Sequence, residues 1–400
     1  MHTSIDREKL NSLLPDLTAL RRNLHAHPEL SGNEKRTAAL VASELRSYGV
    51  EVVEGVGGLG VVGSLVGDLK GERTIGIRAD MDALPIDEQT GLEYRSTKVG
   101  VMHACGHDGH VASLLGAARY LSENRDFAGT ARFIFQPAEE TNGGARAMVE
   151  DGLFDRFPCE AVYAFHAAPA TPTGVIGTRS GPLMAGVGEF VVVFTGSGGH
   201  GGLAPHLTQD LTLVQANFII GLNTIVSRNI APGEAAVVSV GYVNTGDSDT
   251  GATNVLPARV EVGGSLRYFA ESTRDVLERR VNELANAAAH AFGAAAEVEV
   301  TWTSAPVINP ANQVEIVARA ARAAVGGDFV FADVEPVFAA EDFADMLEVA
   351  PGALVFIGNG FGSDGSGPMI HTPRFDFNDD VLPHAVALWV TLVHQELQPS

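Results

Sequence analysis

Short, nearly uninterrupted apolar runs recur along the chain, at 73–79, 131–136, 161–165 and 353–358, and each reads as a strand bounded by glycine, proline or charged residues. Between them the spacing changes. From Asn33 to Tyr48 the apolar residues fall at Ala38, Val41, Leu45 and Tyr48 and the pattern stops at Gly49, as in an amphipathic helix closed by a glycine cap. Residues 111–121 read as a second helix, with Asp108 placed to cap it. Residues 50–54 and 61–67 read as strands on either side of Gly55-Val56-Gly57-Gly58-Leu59-Gly60. That string satisfies the G-x-G-x-x-G pattern of dinucleotide sites. A strand follows it, however, where a pyrophosphate needs a helix N-terminus, so a turn between strands is expected.

The texture changes near Gly181-Pro182-Leu183. A strand at 189–195, a helix at about 207–228, strands at 236–243 and 258–267, a helix at about 272–290 and a strand at 298–303 give the order β-α-β-β-α-β. This is the ferredoxin-like split arrangement. The expected fold is therefore α/β, with residues 1–183 and 304–400 forming one discontinuous domain around an inserted α+β domain at 184–303. A chain of 400 residues exceeds what one core usually serves, which agrees with two domains.

Hydrophobic residues make up 45% of the chain, yet no apolar run approaches the roughly 18–20 residues of a membrane span. The start, Met1 to Lys9, lacks the apolar segment of a secretory signal, so a cytoplasmic protein is expected. Two cysteines, Cys105 and Cys159, make no disulfide framework. The formal net charge is −22, with lysines only at Lys9, Lys35, Lys70 and Lys98, which argues against nucleic acid and anionic membrane surfaces as partners. Any carboxylate-bearing substrate must then rely on bound metals or a few arginines. No G-x-S-x-G elbow is present, which removes the commonest serine-hydrolase reading.

The densest chemistry lies in His103-Ala104-Cys105-Gly106-His107-Asp108-Gly109-His110. Cys105 and His107 stand two apart where a loop runs into a helix, so both can aim at one point. Alone, the segment reads equally as a polar loop with one buried thiol. Further candidates follow the strand-like runs: Asp80-Met81-Asp82, Glu139-Glu140, His166 and His371. Open α/β sheets assemble their sites at the carboxyl ends of strands, so this placement points to one shared centre. Adjacent carboxylates point in different directions, which lets one bind a metal while its neighbour faces the reacting water.

Five ordered motifs carry a family resemblance: Arg21-Arg22-Asn23-Leu24-His25 with His27-Pro28-Glu29-Leu30-Ser31, Ala79-Asp80-Met81-Asp82-Ala83-Leu84-Pro85, the run from His103 to His110, Gln136-Pro137-Ala138-Glu139-Glu140, and His371-Thr372-Pro373-Arg374-Phe375-Asp376. Together they resemble the amidohydrolase branch of the aminoacylase and carboxypeptidase metallopeptidase family, to which hippurate hydrolases and indole-acetyl-amino-acid hydrolases belong. The resemblance implies a mixed-sheet catalytic domain with the insert as a lid, through which two chains could form a homodimer. It implies hydrolysis of the amide bond of small N-acyl amino acids. It also implies two divalent ions (zinc, manganese, cobalt or nickel) held by Cys105, His107, Glu140, His166 and His371, with Cys105 as a candidate bridge. Glu139 would be the general base, and Asp82 would orient a ligand from behind. On the insert, His200 would donate to the oxyanion, while Asn254 and Arg267, expected close together, would hold the substrate. Read alone, His200 is a polar turn residue and Arg267 a solvated strand end.

The chain departs from relatives outside the branch, whose sites begin with His-x-Asp; here Asp80-Met81-Asp82 leaves the role of Asp80 open. Ala340 stands where the branch usually has serine, and His200 is followed by two glycines where alanine is common. His103 and His110 are expected behind the ligands, and His206 has no assigned role. His25, His27, His290, His384 and His394 are expected to be structural. Two alternatives stay open: a dipeptidase or carboxypeptidase on the same metals, and a non-catalytic binding protein of the same fold. All five ligands and Glu139 are present, which favours catalysis.

Overall fold

The computed structural model describes residues 5–246, 252–361 and 367–399. Met1 to Ser4, Gly251 and residues 362–366 of the Gly-rich loop ahead of His371 lie outside the described residues. The chain opens with α1 (Arg7–Ala26), α2 (Lys35–Ser47), β1 (Glu51–Val56), β2 (Gly60–Val66), β3 (Leu69–Asp80), α3 (His107–Ser122), β4 (Ala128–Gln136) and β5 (Ala161–Ala168). Then come β6 (Gly186–Thr195), α4 (Leu211–Asn229), β7 (Ala236–Thr245), β8 (Arg259–Tyr268), α5 (Glu271–Ala291) and β9 (Ala295–Ser304). The last major elements are α6 (Ala311–Val325), β10 (Gly352–Gly358) and α7 (Leu382–Glu396). Backbone contacts divide the chain into a unit made of Met1–Leu183, Val307–Pro336 and Glu341–Ser400, and a second made of Met184–Pro306 and Val337–Ala340.

The first unit is built on a mixed sheet ordered β1-β2-β4-β3-β5-β10, extended by the short strands Ile176–Gly177 and Val330–Phe331. β1 and β2 form an antiparallel hairpin across the Gly-rich turn, so the glycine string joins two strands. β3 runs parallel to β4 and β5, and β5 parallel to β10. Ala161 to Ala167 of β5 are all buried, as expected of a strand covered on both faces. The carboxyl ends of four parallel strands therefore share one edge of the sheet, and the candidate residues fall there.

Helix α3 is buried around nearly its whole circumference. It starts at His107, earlier than the apolar pattern indicates, and Asp108 does not cap it: the N-cap is Gly106 at φ +96°, a left-handed conformation that glycine adopts without strain. Gly109 lets the helix approach Phe377 closely, since a Cβ there would sit 2.3 Å from that ring.

The second unit has an antiparallel sheet ordered β7-β8-β6-β9, the strand order of a split βαββαβ fold. Phe190, Val192 and Phe194 alternate inward along β6 and meet Leu211, Val214, Phe218, Leu222 and Ile225, one face of α4. Asp210 caps α4 by accepting the Thr212 N–H, and Pro205–Leu207 form a separate 3₁₀ turn ahead of it. Among the described residues, no helix is long and apolar enough to cross a membrane.

Candidate metal centre

At the end of β3 the two-residue strand period puts Arg78 and Asp80 on one face, and the chain continues to Asp82. β4 ends at Gln136, and Ala138, held at φ +53°, turns the chain so that Glu139 and Glu140 follow at once. β5 supplies His166, and the first turn of α3 supplies His107 just after Cys105. His371 is itself left-handed at φ +60°, and its N–H donates to the Ala104 carbonyl at 2.7 Å, which ties its loop to the segment before Cys105.

These residues converge. Cys105 Sγ lies 3.3 Å from His166 Nε2, and His371 Nε2 lies 3.4 Å from Glu140 Oε2. His107 Nε2 is 3.8 Å from Glu139 Oε2 and 3.9 Å from Glu140 Oε1. Donor atoms of Cys105, His107 and His166, of Cys105, Glu140 and His371, and of His107, Glu139 and Glu140 each lie within 4.8 Å of one another. Glu140 belongs to two of these groups. Glu139 instead has Glu341 and Asp342 on its other side.

Within this centre, His107 Nε2 and Glu140 Oε1 are buried without a hydrogen-bond partner. The other ring nitrogen of His107, Nδ1, lies 3.0 Å from the Asp82 carbonyl and 3.2 Å from Asp82 Oδ1. Bonding there by Nδ1–H leaves the Nε2 lone pair directed into the cluster. A buried polar atom left unpaired costs about 1–3 kcal/mol, so two facing orphans call for a group between them. Imidazole, thiol and carboxylate donors together fit a divalent transition-metal ion.

Charge says the same. Burial, reinforced by Glu341, Asp342 and Glu140, pushes the Glu139 carboxyl well above the usual carboxylate range. Burial also lifts Glu140 to about 7, although His107 opposes the rise, and burial next to Glu140 and Glu139 raises the Cys105 thiol. Burial lowers His166 to about 3, with His110 adding to it. His107 goes the other way, to about 10, because Asp80, Asp82 and Glu140 outweigh its burial. Anionic groups are thus in excess in a buried space; a bound cation would reverse the rises at Glu139, Glu140, Cys105 and His107, while His166 is already held neutral with a lone pair to donate.

A profile described as peptidase family M20/M25/M40 matches residues 76–395. The chain belongs to this family. It is 38% identical over 369 residues to thermostable carboxypeptidase 1 of Saccharolobus solfataricus, covering 91% of each chain. It is 36% identical over 381 residues to the hippurate hydrolase of Campylobacter jejuni, covering 95% of this chain and 96% of that one. A solved Bacillus subtilis structure, described as a dinuclear metal binding peptidase from the M20 family, superposes with a TM-score of 0.83 at 33% identity, covering 97% of this chain and 99% of that one.

Behind the centre of this M20 chain lies a network that the sequence reading did not anticipate. Arg78 is fully buried and pairs with Asp80 at 2.7 Å, Glu341 at 2.9 Å and Asp342 at 3.3 Å. An arginine inside an apolar strand was the available signal, since it must meet buried acids. Asp80 also bonds His110 Nδ1 at 2.6 Å, and His110 Nε2 accepts the Ala167 N–H at 3.1 Å. Both nitrogens of His110 are therefore hydrogen-bonded, with Asp80 holding Nδ1.

On the second unit of this M20 chain, His200 Nε2 and Asn254 Nδ2 are 3.1 Å apart, and Val255 pairs with His200 across a short ladder. Arg267 is not near them. Arg259 pairs with Thr195 at one end of β8 and Arg267 with Val187 at the other, a separation of about 26 Å at some 3.3 Å per residue. The expected trio is therefore a pair plus a distant arginine, because the extended strand carries Arg267 away from Asn254. One N-acyl amino acid cannot touch both within one copy of this unit.

Proposed function

We propose that this M20 protein hydrolyses the amide bond of N-acyl amino acids at a dinuclear centre, releasing a carboxylate and a free amino acid. The observation that carries this reading is the pair of buried orphans, His107 Nε2 and Glu140 Oε1, inside a convergent set with Cys105, His166 and His371. Those five residues hold two divalent ions, of the zinc, manganese, cobalt or nickel type that such mixed donors accept. When bound, the ions supply Lewis acidity and lower the pKa of water from 15.7 to roughly 7. Glu139 takes a proton from the attacking water and returns it to the leaving nitrogen, a role its place beside Glu140 and His107 allows. Asp82 holds His107 in the tautomer that presents Nε2.

His200 serves as an oxyanion donor. Its Nδ1 accepts the N–H groups of Gly202 at 3.2 Å and Leu203 at 3.0 Å, which leaves Nε2–H as the donor; the Asn254 amide, 3.1 Å away, then turns its oxygen to face that N–H. Arg267 is half-buried, and burial lowers its pKa only against the pull of Glu189; its planar fork suits a carboxylate. The second unit acts as a lid and pairs two chains as a homodimer. Exposed Leu213 and Ile220 on α4, with Tyr242 and Val243 on the edge strand β7, support that pairing. Two free thiols, Cys105 and Cys159, support a cytoplasmic setting.

The hippurate hydrolase relative supports an acylated substrate, while the carboxypeptidase relative favours a second reading, cleavage of peptides at the same centre. A panel of N-acyl amino acids and free-amine dipeptides, assayed with manganese, zinc, cobalt and nickel, separates them. The proposal expects acylated substrates to lead in kcat/KM; dipeptides ahead on every metal would replace it by the second reading.

A further inference from the structure

The segment between α1 and α2, His27-Pro28-Glu29-Leu30-Ser31-Gly32-Asn33-Glu34, is given no task by the reading above. Its capping chemistry is inverted. Glu34 occupies the N-cap position of α2 but makes no capping bond. Glu29 does that work from five residues upstream: its carboxylate accepts the N–H groups of Arg36 at 3.2 Å and Thr37 at 2.8 Å and the Thr37 hydroxyl at 3.1 Å. Glu34, buried and freed from capping, accepts the N–H of Ala138 at 2.8 Å instead.

That target matters. Ala138 is left-handed and stands immediately before Glu139 and Glu140; a non-glycine residue held this way costs on the order of 1–3 kcal/mol and persists only where its surroundings impose it. Its carbonyl is held from the other side by the N–H of Gly144 at 3.1 Å. Three residues before Glu34, the Ser31 hydroxyl donates to Asp82 Oδ2 at 2.7 Å, and the same oxygen accepts the Glu140 N–H at 2.9 Å. The strap is pinned in register by the Ala83 N–H, which donates to the Glu29 carbonyl at 2.8 Å.

We propose that Ser31 and Glu34 are positioning residues for the hydrolysis, through which the strap sets Asp82 and the Ala138–Glu140 turn and so places His107, Glu139 and Glu140. The inference rests on the dinuclear reading above. Glu34 acts by accepting the Ala138 N–H, a contact made by Oε1 alone, and burial raises its carboxyl pKa. An amide of the same shape should therefore replace it.

The test titrates metal-free protein with Mn²⁺ or Zn²⁺ by calorimetry and measures kcat and KM separately. Glu34→Ala is expected to weaken metal binding and lower kcat by about 10–100-fold with KM nearly unchanged, as for other residues that orient metal ligands. Glu34→Gln keeps an acceptor for Ala138 and should restore both to within about 3-fold of wild type. Ser31→Ala removes only the hydroxyl that bonds Asp82, and should weaken metal binding by about 3–10-fold. Wild-type metal affinity in both alanine variants, or Glu34→Gln as damaged as Glu34→Ala, would overturn the inference alone. A wild-type chain that takes up no metal would overturn the dinuclear reading and this inference with it.

Discussion

His107 and Asp108 are neighbours in the first turn of α3, yet they anchor two buried clusters of opposite character. On one side, His107 meets Glu139, Glu140 and, through Nδ1, Asp82, with Cys105 and His166 close by. On the other, Asp108 Oδ2 is 2.8 Å from His25 Nδ1 and 3.5 Å from Arg21, which also reaches Asp376 at 2.9 Å and Asp379 at 2.7 Å. In the second cluster cations and anions alternate. Hydrogen bonds from Asp108 and Glu88 outweigh burial and hold His25 up at about 10, and His25 keeps Asp108 well below the carboxylate range despite its burial. Unpartnered atoms occur here too, at Asp108 Oδ1 and both nitrogens of His103, but among the described residues this cluster contributes no converging triad of donors. Histidines and acids in one short motif do not by themselves mark a metal centre. Convergent orphans with uncompensated negative charge do.

The sharpest way to break this contrast is to disable each side by an isosteric change. Glu139→Gln should lower kcat by about 10²–10⁴-fold, the usual span for a general base, while metal content measured by elemental analysis stays at the wild-type level. Asp108→Asn should show the reverse pattern. Removing Asp108 takes from His25 its 2.8 Å partner, leaving only Glu88 at 3.4 Å, and should cost about 3–5 kcal/mol in urea unfolding, with the folded fraction still loading metal. If Asp108→Asn lost metal at unchanged stability, the two clusters would not be separate.

Smaller effects sharpen the comparison. Arg267→Ala should raise KM for acylated amino acids by about tenfold, near 1.4 kcal/mol, and change KM for the matching amides far less. His200→Ala should act on kcat, and because Arg267 lies at the far end of β8 from the Arg259 end, the two losses should add. Equal losses on acids and amides would mean that Arg267 supports the unit and does not read the substrate. The Asp108 cluster should also show a pH dependence. Because the folded pKa of His25, about 10, lies above its ordinary value of 6.5, its stabilisation is fully present below pH 6.5 and fades as pH rises towards 10. Denaturation curves across that window should lose stability in wild type and show a shallower slope in His25→Gln.

The α/β architecture was legible because its signals are local. The β5 run, the Gly55–Gly60 turn and the β-α-β-β-α-β rhythm of the insert each reside within one window of sequence, and so did the motifs that meet at the strand ends. What escaped depends on pairings across the chain. Arg78 meets Glu341 from 263 positions away and Glu34 meets Ala138 from 104, and no periodicity encodes such partners. Asp108 looked like a cap because caps are read from residue type, whereas Gly106 ends the loop by its backbone and frees Asp108 to turn towards Arg21. Arg267 sits at the far end of β8 because the strand is extended, a length that residue type and motif order do not convey.

The central claim is that the cluster around His107 is a cation site and the one around Asp108 is not, and metal stoichiometry tests it most directly. Elemental analysis of reconstituted, dialysed protein should find two divalent ions per chain in wild type, fewer in His107→Ala and Cys105→Ala, and two in the folded fraction of Asp108→Asn, since five donors exceed one tetrahedral set. Chelation should abolish hydrolysis and added metal restore it. Full activity in a preparation that elemental analysis finds free of metal would contradict the account.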